Sequence, residues 1–128
     1  MAKILLIDDD SAISTVFTTA LNKEGFETIT AEDGKTGIEK AIAEKPNLIL
    51  LDQVLPDLNG NDVLKQLKEN QETKSIPVVL LSNFGQQEFI EQALKTGALD
   101  YLLKYQIDTK DLVEKVKQIL NEQTTIKD

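Results

Sequence analysis

Short apolar runs that alternate with segments of helical periodicity constrain the fold of this chain more than any other feature. They are ILLI at 4–7, LILL at 48–51, VVLL at 78–81 and YLL at 101–103. Runs without polar alternation are typical of parallel strands that are buried on both faces. A weaker run, Phe26 to Thr30, contains polar residues and suits the edge of a sheet. The sequence therefore predicts five strands.

Segments with apolar residues at helical spacing fill the intervals between these runs. The first should be a core-facing helical stripe that ends near a cap at Gly25 and consists of Ile13, Val16, Phe17, Ala20 and Leu21. The same spacing predicts helices over Gly37 to Ala43, Asn61 to Lys68, Gln86 to Lys95 (with Ile90 and Leu94 inward) and Thr109 to Glu122. Right-handed crossovers would place helices on both faces of one sheet. The predicted fold is α/β, a doubly wound five-stranded parallel sheet flanked by five helices.

Composition excludes several kinds of chemistry. The chain has 128 residues, which suits one domain, and it has neither cysteine nor histidine. Disulfides, thiolate chemistry and imidazole catalysis are therefore absent. The net charge of −8, with dispersed lysines, argues against nucleic acid and anionic membranes as partners. No apolar run approaches the roughly 20 residues of a membrane span, and the acidic start does not suit a signal peptide.

Ionisable and hydroxyl side chains follow the predicted strands. Asp8 and Asp9 come after the first strand, Asp52 after the third, Ser82 closes the fourth and Lys104 follows the fifth. Open parallel sheets bind ligands at this edge, and a strand order of 2-1-3-4-5 would make the first and third strands neighbours. We expect the three aspartates to converge there, with Ser82 and Lys104 at one side. Asp10, in contrast, is predicted to cap the first helix.

Such a cluster of carboxylates calls for a cation. Two carboxylates about 4 Å apart repel by roughly 4 kcal/mol at an effective dielectric near 20. Mg²⁺ prefers oxygen ligands and leaves sites for phosphoryl oxygens. Asp52 could then attack a phosphoryl group as a carboxylate nucleophile, while Lys104 and Ser82 contact its oxygens.

The segments ILLIDDD, LILLDQVLPDLNG, VVLLSN and YLLK, in this order, resemble the receiver domains of bacterial two-component response regulators from Lys3 to about Leu120. The resemblance implies a flavodoxin-like domain over residues 1–121, with a polar tail over residues 122–128. It also implies Mg²⁺, or Mn²⁺ as a substitute, and a role for each site residue: metal ligands at Asp8, Asp9, Asp52 and the Val54 carbonyl, the phosphoacceptor at Asp52, the pocket lysine at Lys104, and switch residues at Ser82 and Tyr101.

The resemblance further implies partners and a cellular setting. A sensor histidine kinase or a histidine phosphotransfer protein would donate the phosphoryl group, in the cytoplasm. A downstream protein target would bind the face formed by the fourth helix, fifth strand and fifth helix, around Gln87 to Lys95, Tyr101 to Gln106 and Lys110 to Lys117. Because no output domain follows, a stand-alone receiver is expected.

Departures from the family pattern bear on rates. Tyr105 replaces the usual proline after the pocket lysine, so we expect a trans peptide bond there and a repositioned loop at 105–108. Val54 and Phe84 are apolar where the family often has polar residues able to orient water, which predicts slow self-dephosphorylation.

Two alternatives remain open from the sequence. Asp8 and Asp10 fit the D-x-D pattern of a haloacid-dehalogenase-type phosphatase, but this would leave Asp52 unexplained. The chain could also be a receiver-fold interaction module that is not phosphorylated.

Overall fold

The five predicted strands form one parallel sheet, in the order β2-β1-β3-β4-β5. The structure is a computed structural model that describes residues 2–83 and 87–126, with side chains up to Asn121. Its elements are β1 (Lys3–Ile7), α1 (Ser11–Lys23), β2 (Glu27–Ala31), α2 (Gly34–Glu44), β3 (Leu48–Asp52), α3 (Gly60–Glu69), β4 (Val78–Ser82), α4 (Gln87–Thr96), β5 (Asp100–Leu103) and α5 (Thr109–Ile126). This confirms the predicted fold class and strand order.

The sheet separates two hydrophobic layers because successive strand residues point to opposite faces. In β1, Leu5 and Ile7 pack in the layer that contains α2, α3 and α4, whereas Ile4 and Leu6 pack in the layer that contains α1 and α5. Every residue of β3 and of β4 is buried. The edge strand β5 is half-buried at all four of its positions. The unbroken apolar runs thus occupy the centre of the sheet.

The predicted helical faces need two corrections. Val16 in α1 is 50% exposed and Leu94 in α4 is 47% exposed, so neither faces the core as predicted. In α1, Phe17 and Leu21 are fully buried while Ile13 and Ala20 are partly buried against the core, and in α4 only Ala93 is fully buried. Each of these helices contacts the sheet along a narrow stripe, so apolar residues at the margin of the stripe face solvent.

The last helix is longer than predicted. The sequence predicts that it ends at Glu122, whereas it continues to Ile126. Once a helix is nucleated, each added residue gains a backbone hydrogen bond, and polar residues can extend it. Residues 127 and 128 lie outside the described residues.

The β3–α3 loop is fixed by contacts at both ends. The Asp57 carboxylate accepts hydrogen bonds from the Gly34 and Lys35 N–H groups at 2.7 and 2.9 Å, which caps α2 from another segment. At the other end, the Gly60 N–H donates to the Gln53 carbonyl at 2.6 Å. A Cβ on Gly60 would lie 2.8 Å from the Asp52 carbonyl oxygen, so only glycine fits there. The loop that follows Asp52 is therefore held close to the end of β3.

Asp57→Ala is expected to lower the urea midpoint of unfolding, because it leaves two N–H groups at the start of α2 without acceptors. Asp57→Asn should cost about half as much, since its amide keeps one acceptor oxygen. The hydrogen bonds from Gly34 and then Lys35 lower the pKa of Asp57, so its contribution is present at neutral pH and is lost as the pH falls through that lowered pKa. Equal midpoints for the alanine variant and the wild-type protein would contradict this.

Candidate functional site

Adjacent pairing of β1 with β3 brings together the aspartates that follow them. Asp8 comes directly after β1, and Asp52 is the last residue of β3. Lys104, which follows β5, places its Nζ 3.0 Å from Asp8 Oδ2 and 3.1 Å from Asp52 Oδ2. All three side chains are almost completely buried, with at most 8% of their surface exposed. One ammonium group thus bridges two buried carboxylates.

Burial and like charge oppose the ionisation of Asp52. Burial first, and then the charge of Asp8, raise the pKa of Asp52 to about 6, although Lys104 acts in the opposite direction. Burial alone would lower the pKa of Lys104, but its hydrogen bonds and charge interactions with Asp8 and Asp52 outweigh burial and raise it. Lys104 therefore remains a cation at neutral pH, while the cost of ionising Asp52 is only partly offset.

The carboxylates of Asp8, Asp9 and Asp52 could together hold a divalent cation. One oxygen from each lies within 4.8 Å of the others, and Asp9 is exposed. Asp8 Oδ1 accepts hydrogen bonds from Lys104 and from the Asp10 N–H. Asp8 Oδ2 is also 3.0 Å from the ammonium group, yet this buried oxygen accepts no hydrogen bond from any described residue. An all-oxygen donor set with a buried oxygen in this state fits a hard cation.

An open cavity of about 300 Å³ lies over these groups. Its lining residues are Asp9, Asp10, Asp52, Gln53, Val54, Ser82, Asn83, Lys104 and Tyr105. Asp52 also accepts a hydrogen bond from the Val54 N–H. The predicted site residues are thus brought together at one edge of the sheet, apart from Tyr101.

Three predicted residues occupy different positions relative to this cavity. Ser82 is fully buried and lines it, whereas the Val54 side chain is 57% exposed at its rim. Tyr101 in β5 is half-buried and packs in the layer that contains Ala93 and Ala98. Tyr101 therefore does not line the cavity. Phe84 lies outside the described residues.

Tyr105 and Asp10, which both line the cavity, are joined by a contact that the sequence did not indicate. The Tyr105 hydroxyl donates a hydrogen bond to Asp10 Oδ2 at 3.1 Å, and its ring centroid lies 5.8 Å from Lys104 Nζ. Asp10 Oδ1 meanwhile caps α1, as predicted, by accepting from the Ala12 and Ile13 N–H groups. The described residues contain no cis peptide bond, so the bond before Tyr105 is trans, as expected.

Comparison with known proteins agrees with this geometry. Residues 4–117 match the response regulator receiver domain family. The chain is 35% identical to protein PilH of Pseudomonas aeruginosa over 120 residues, which are 94% of this chain and 98% of that protein. It is also 35% identical to the phosphate regulon transcriptional regulatory protein PhoB of Escherichia coli, over 92% of this chain but only 51% of that longer protein.

Solved structures show the same fold. A CheY-like receiver domain protein from Methanospirillum hungatei superposes with a TM-score of 0.90 at 30% identity, covering 98% of both chains. The chemotaxis response regulator CheY4 of Vibrio cholerae superposes with a TM-score of 0.87 at 25% identity, covering 93% of this chain and 98% of that one.

The chain belongs to the response regulator receiver domain family. It is a phosphorylation-activated switch of two-component signalling, and receiver domains of this kind generally bind Mg²⁺. This assignment excludes the haloacid-dehalogenase alternative. In the part of the chain that is described, no helix has both the length and the apolar character needed to cross a bilayer.

Proposed function

We propose that Asp52 receives the phosphoryl group. The observation that carries this proposal is the position of its carboxylate in an open cavity, 3.1 Å from a buried ammonium group and beside two further carboxylates. This arrangement supplies a nucleophile and a cation for the incoming charge at one point. The donor is a phosphohistidine of a sensor histidine kinase or of a histidine phosphotransfer protein, since receiver domains accept phosphoryl groups from histidine kinases.

The transfer breaks one bond and forms another. An Asp52 oxygen attacks phosphorus while the bond between phosphorus and the donor imidazole nitrogen breaks, and the imidazole leaves as a neutral base that keeps the proton on its other ring nitrogen. Lys104 then pairs with a phosphoryl oxygen, and the Ser82 hydroxyl donates a hydrogen bond to another. The product is an acyl phosphate on Asp52.

Mg²⁺, with Mn²⁺ as a substitute, is the cation that we assign to the carboxylate cluster. Asp8, Asp9 and Asp52 would hold it through their side chains, and Val54 through its carbonyl oxygen. When bound, the ion offsets carboxylate repulsion and neutralises negative charge on the phosphoryl group. The support is the all-oxygen donor set and the buried Asp8 oxygen that accepts no hydrogen bond.

The output side of the switch lies next to the cavity. Ser82 moves toward the phosphoryl group, and the Tyr101 ring turns inward. This changes the face that α4, β5 and α5 offer to a protein target in the cytoplasm. Leu94 and Leu99 are exposed at 47% each, so this side of the molecule presents apolar surface. The net charge of −8 supports a protein target rather than nucleic acid or an anionic membrane.

Acetyl phosphate tests the proposal. Incubation with Mg²⁺ should add one phosphoryl group, detected by intact mass and located on Asp52 by a peptide map. Asp52→Asn should add none, whereas Asp62→Asn, a control that removes an exposed carboxylate in α3, should behave as the wild-type protein does. A wild-type protein that stays unmodified would instead favour a receiver-fold interaction module, and modification of another residue would overturn the assignment of Asp52.

Mg²⁺ binding is expected to raise the melting temperature. At a concentration about 100 times its dissociation constant, the ion should stabilise the folded state by about 2.7 kcal/mol, since the unfolded chain lacks the site. Asp9→Asn should abolish the shift, whereas Asp62→Asn should keep it. Thermal scans with and without Mg²⁺ at constant ionic strength measure this effect, and equal shifts for wild type and Asp9→Asn would place the ion elsewhere.

A further inference from the structure

The loop after β5 is tied to the start of α1 by one side chain. Tyr105 is 62% exposed, yet its hydroxyl reaches Asp10 Oδ2 at 3.1 Å, across 95 positions of sequence. Both residues line the cavity above Asp52. The hydrogen bond therefore spans two loops that border the cavity, the loop after β1 and the loop after β5.

The ring of Tyr105 also lies near the pocket cation. Lys104 Nζ is 5.8 Å from the ring centroid, within the range of a cation–π contact, and Lys104 is only 4% exposed. The aromatic ring thus lies next to the ammonium group in the lining of the cavity. Its hydroxyl, fixed on Asp10, holds the ring in that position.

We propose that Tyr105 is a positioning residue that forms a side wall of the phosphoryl pocket and prolongs the life of the acyl phosphate on Asp52. The inference rests on the proposed function of Asp52. Hydrolysis needs a water oxygen to attack phosphorus while the bond from phosphorus to the Asp52 oxygen breaks. This regenerates the carboxylate and releases inorganic phosphate, with the proton of the attacking water passing to solvent or phosphate. The wall restricts the entry of that water.

The two carboxylate oxygens of Asp10 make different contacts, so a variant can remove one contact and keep the other. Oδ1 accepts from the backbone at the start of α1, whereas Oδ2 accepts from Tyr105. Asp10→Ser keeps a favourable helix cap but removes the second oxygen. Tyr105→Phe keeps the ring but removes the hydroxyl. The two variants therefore delete the same hydrogen bond from opposite ends, and Tyr105→Ala removes the ring as well.

The experiment measures first-order loss of the phosphoryl group after loading with acetyl phosphate and removal of excess donor, in Mg²⁺. Tyr105→Phe and Asp10→Ser should each accelerate the loss about threefold, as expected for one hydrogen bond at the protein surface. The double variant should be no faster than either single variant, because both remove one interaction. Tyr105→Ala should accelerate the loss about tenfold. Val16→Ala, which truncates an exposed apolar side chain of α1 that does not line this cavity, should decay as wild type does.

Melting temperature and Mg²⁺ affinity should both stay near their wild-type values in Tyr105→Phe. Such values would show that the faster loss of the phosphoryl group comes from the changed position of the ring and not from a general loss of structure. Multiplicative effects in the double variant, or a wild-type rate in Tyr105→Ala, would overturn the inference and leave the assignment of Asp52 intact. Failure of the wild-type protein to load at Asp52 would overturn the proposed function instead, before any variant is compared.

Discussion

Replacing Lys104 with methionine is expected to lower the free energy of unfolding of the metal-free protein by about 3 to 5 kcal/mol at pH 8. The ammonium group lies 3.0 Å from Asp8 Oδ2 and 3.1 Å from Asp52 Oδ2, and both carboxylates are buried. Without it, two like charges face each other in a medium of low dielectric. Urea unfolding in the presence of a chelator measures the loss. The loss in the free energy of unfolding should be smaller at pH 5, where Asp52 binds a proton.

Lys68→Met provides the matched control. Lys68 is half-buried, but its ammonium group donates to the backbone carbonyls of Ile76 and Lys74, at 2.8 and 3.3 Å. Removing these hydrogen bonds should cost about 1 kcal/mol. Equal losses for the two variants would show that Lys104 contributes no more than ordinary hydrogen bonds, and the electrostatic account of the site would be wrong.

Asp52→Asn is expected to act in the opposite direction, raising the free energy of unfolding of the metal-free protein by about 2 to 3 kcal/mol at pH 7.5. Burial and the Asp8 charge raise the pKa of Asp52 from 3.8 to about 6. Between those pH values the folded protein keeps a proton that the unfolded chain releases, so stability falls as the pH rises through this window. Above it, the full cost of the buried charge remains.

The pH dependence distinguishes this effect from an ordinary surface change. The difference in stability between Asp52→Asn and wild type should be small near pH 4, grow up to about pH 6 and then level off. Asp62→Asn, which removes an exposed carboxylate, serves as the reference. A difference for Asp52→Asn that is equally large at pH 4 and pH 7.5 would contradict the assigned cause.

The sheet could be predicted because uninterrupted apolar runs in the sequence mark its central strands. A strand buried on both faces has no polar positions, and β3 and β4 follow this pattern up to the residues that enter the site. Helix phase could be predicted less well. Periodicity places Val16 and Leu94 on the inward half of their helices, but the width of the buried stripe depends on how closely each helix approaches the sheet. Local sequence does not encode that distance.

Part of the candidate site could also be predicted from the sequence, and part could not. Asp8, Asp52 and Lys104 could be placed together because each lies at the carboxyl end of a strand, and the carboxyl ends of parallel strands meet at one edge of the sheet. The hydrogen bond between Tyr105 and Asp10 could not be predicted, since it joins two loops whose backbone paths have no periodic pattern. The capping of α2 by Asp57 could not be predicted for the same reason, because its partners, the N–H groups of Gly34 and Lys35, belong to a distant helix.

The half-buried state of β5 has a consequence for local stability. An edge strand with partial cover at every position loses little buried surface when it opens, so its backbone amides should exchange with deuterium faster than those of β3. The protein thus combines a rigid sheet centre, which keeps Asp52 in place, with a strand of low opening free energy beside it. Reorganising that strand requires only a small part of the folding free energy, whereas displacing β3 would require nearly all of it.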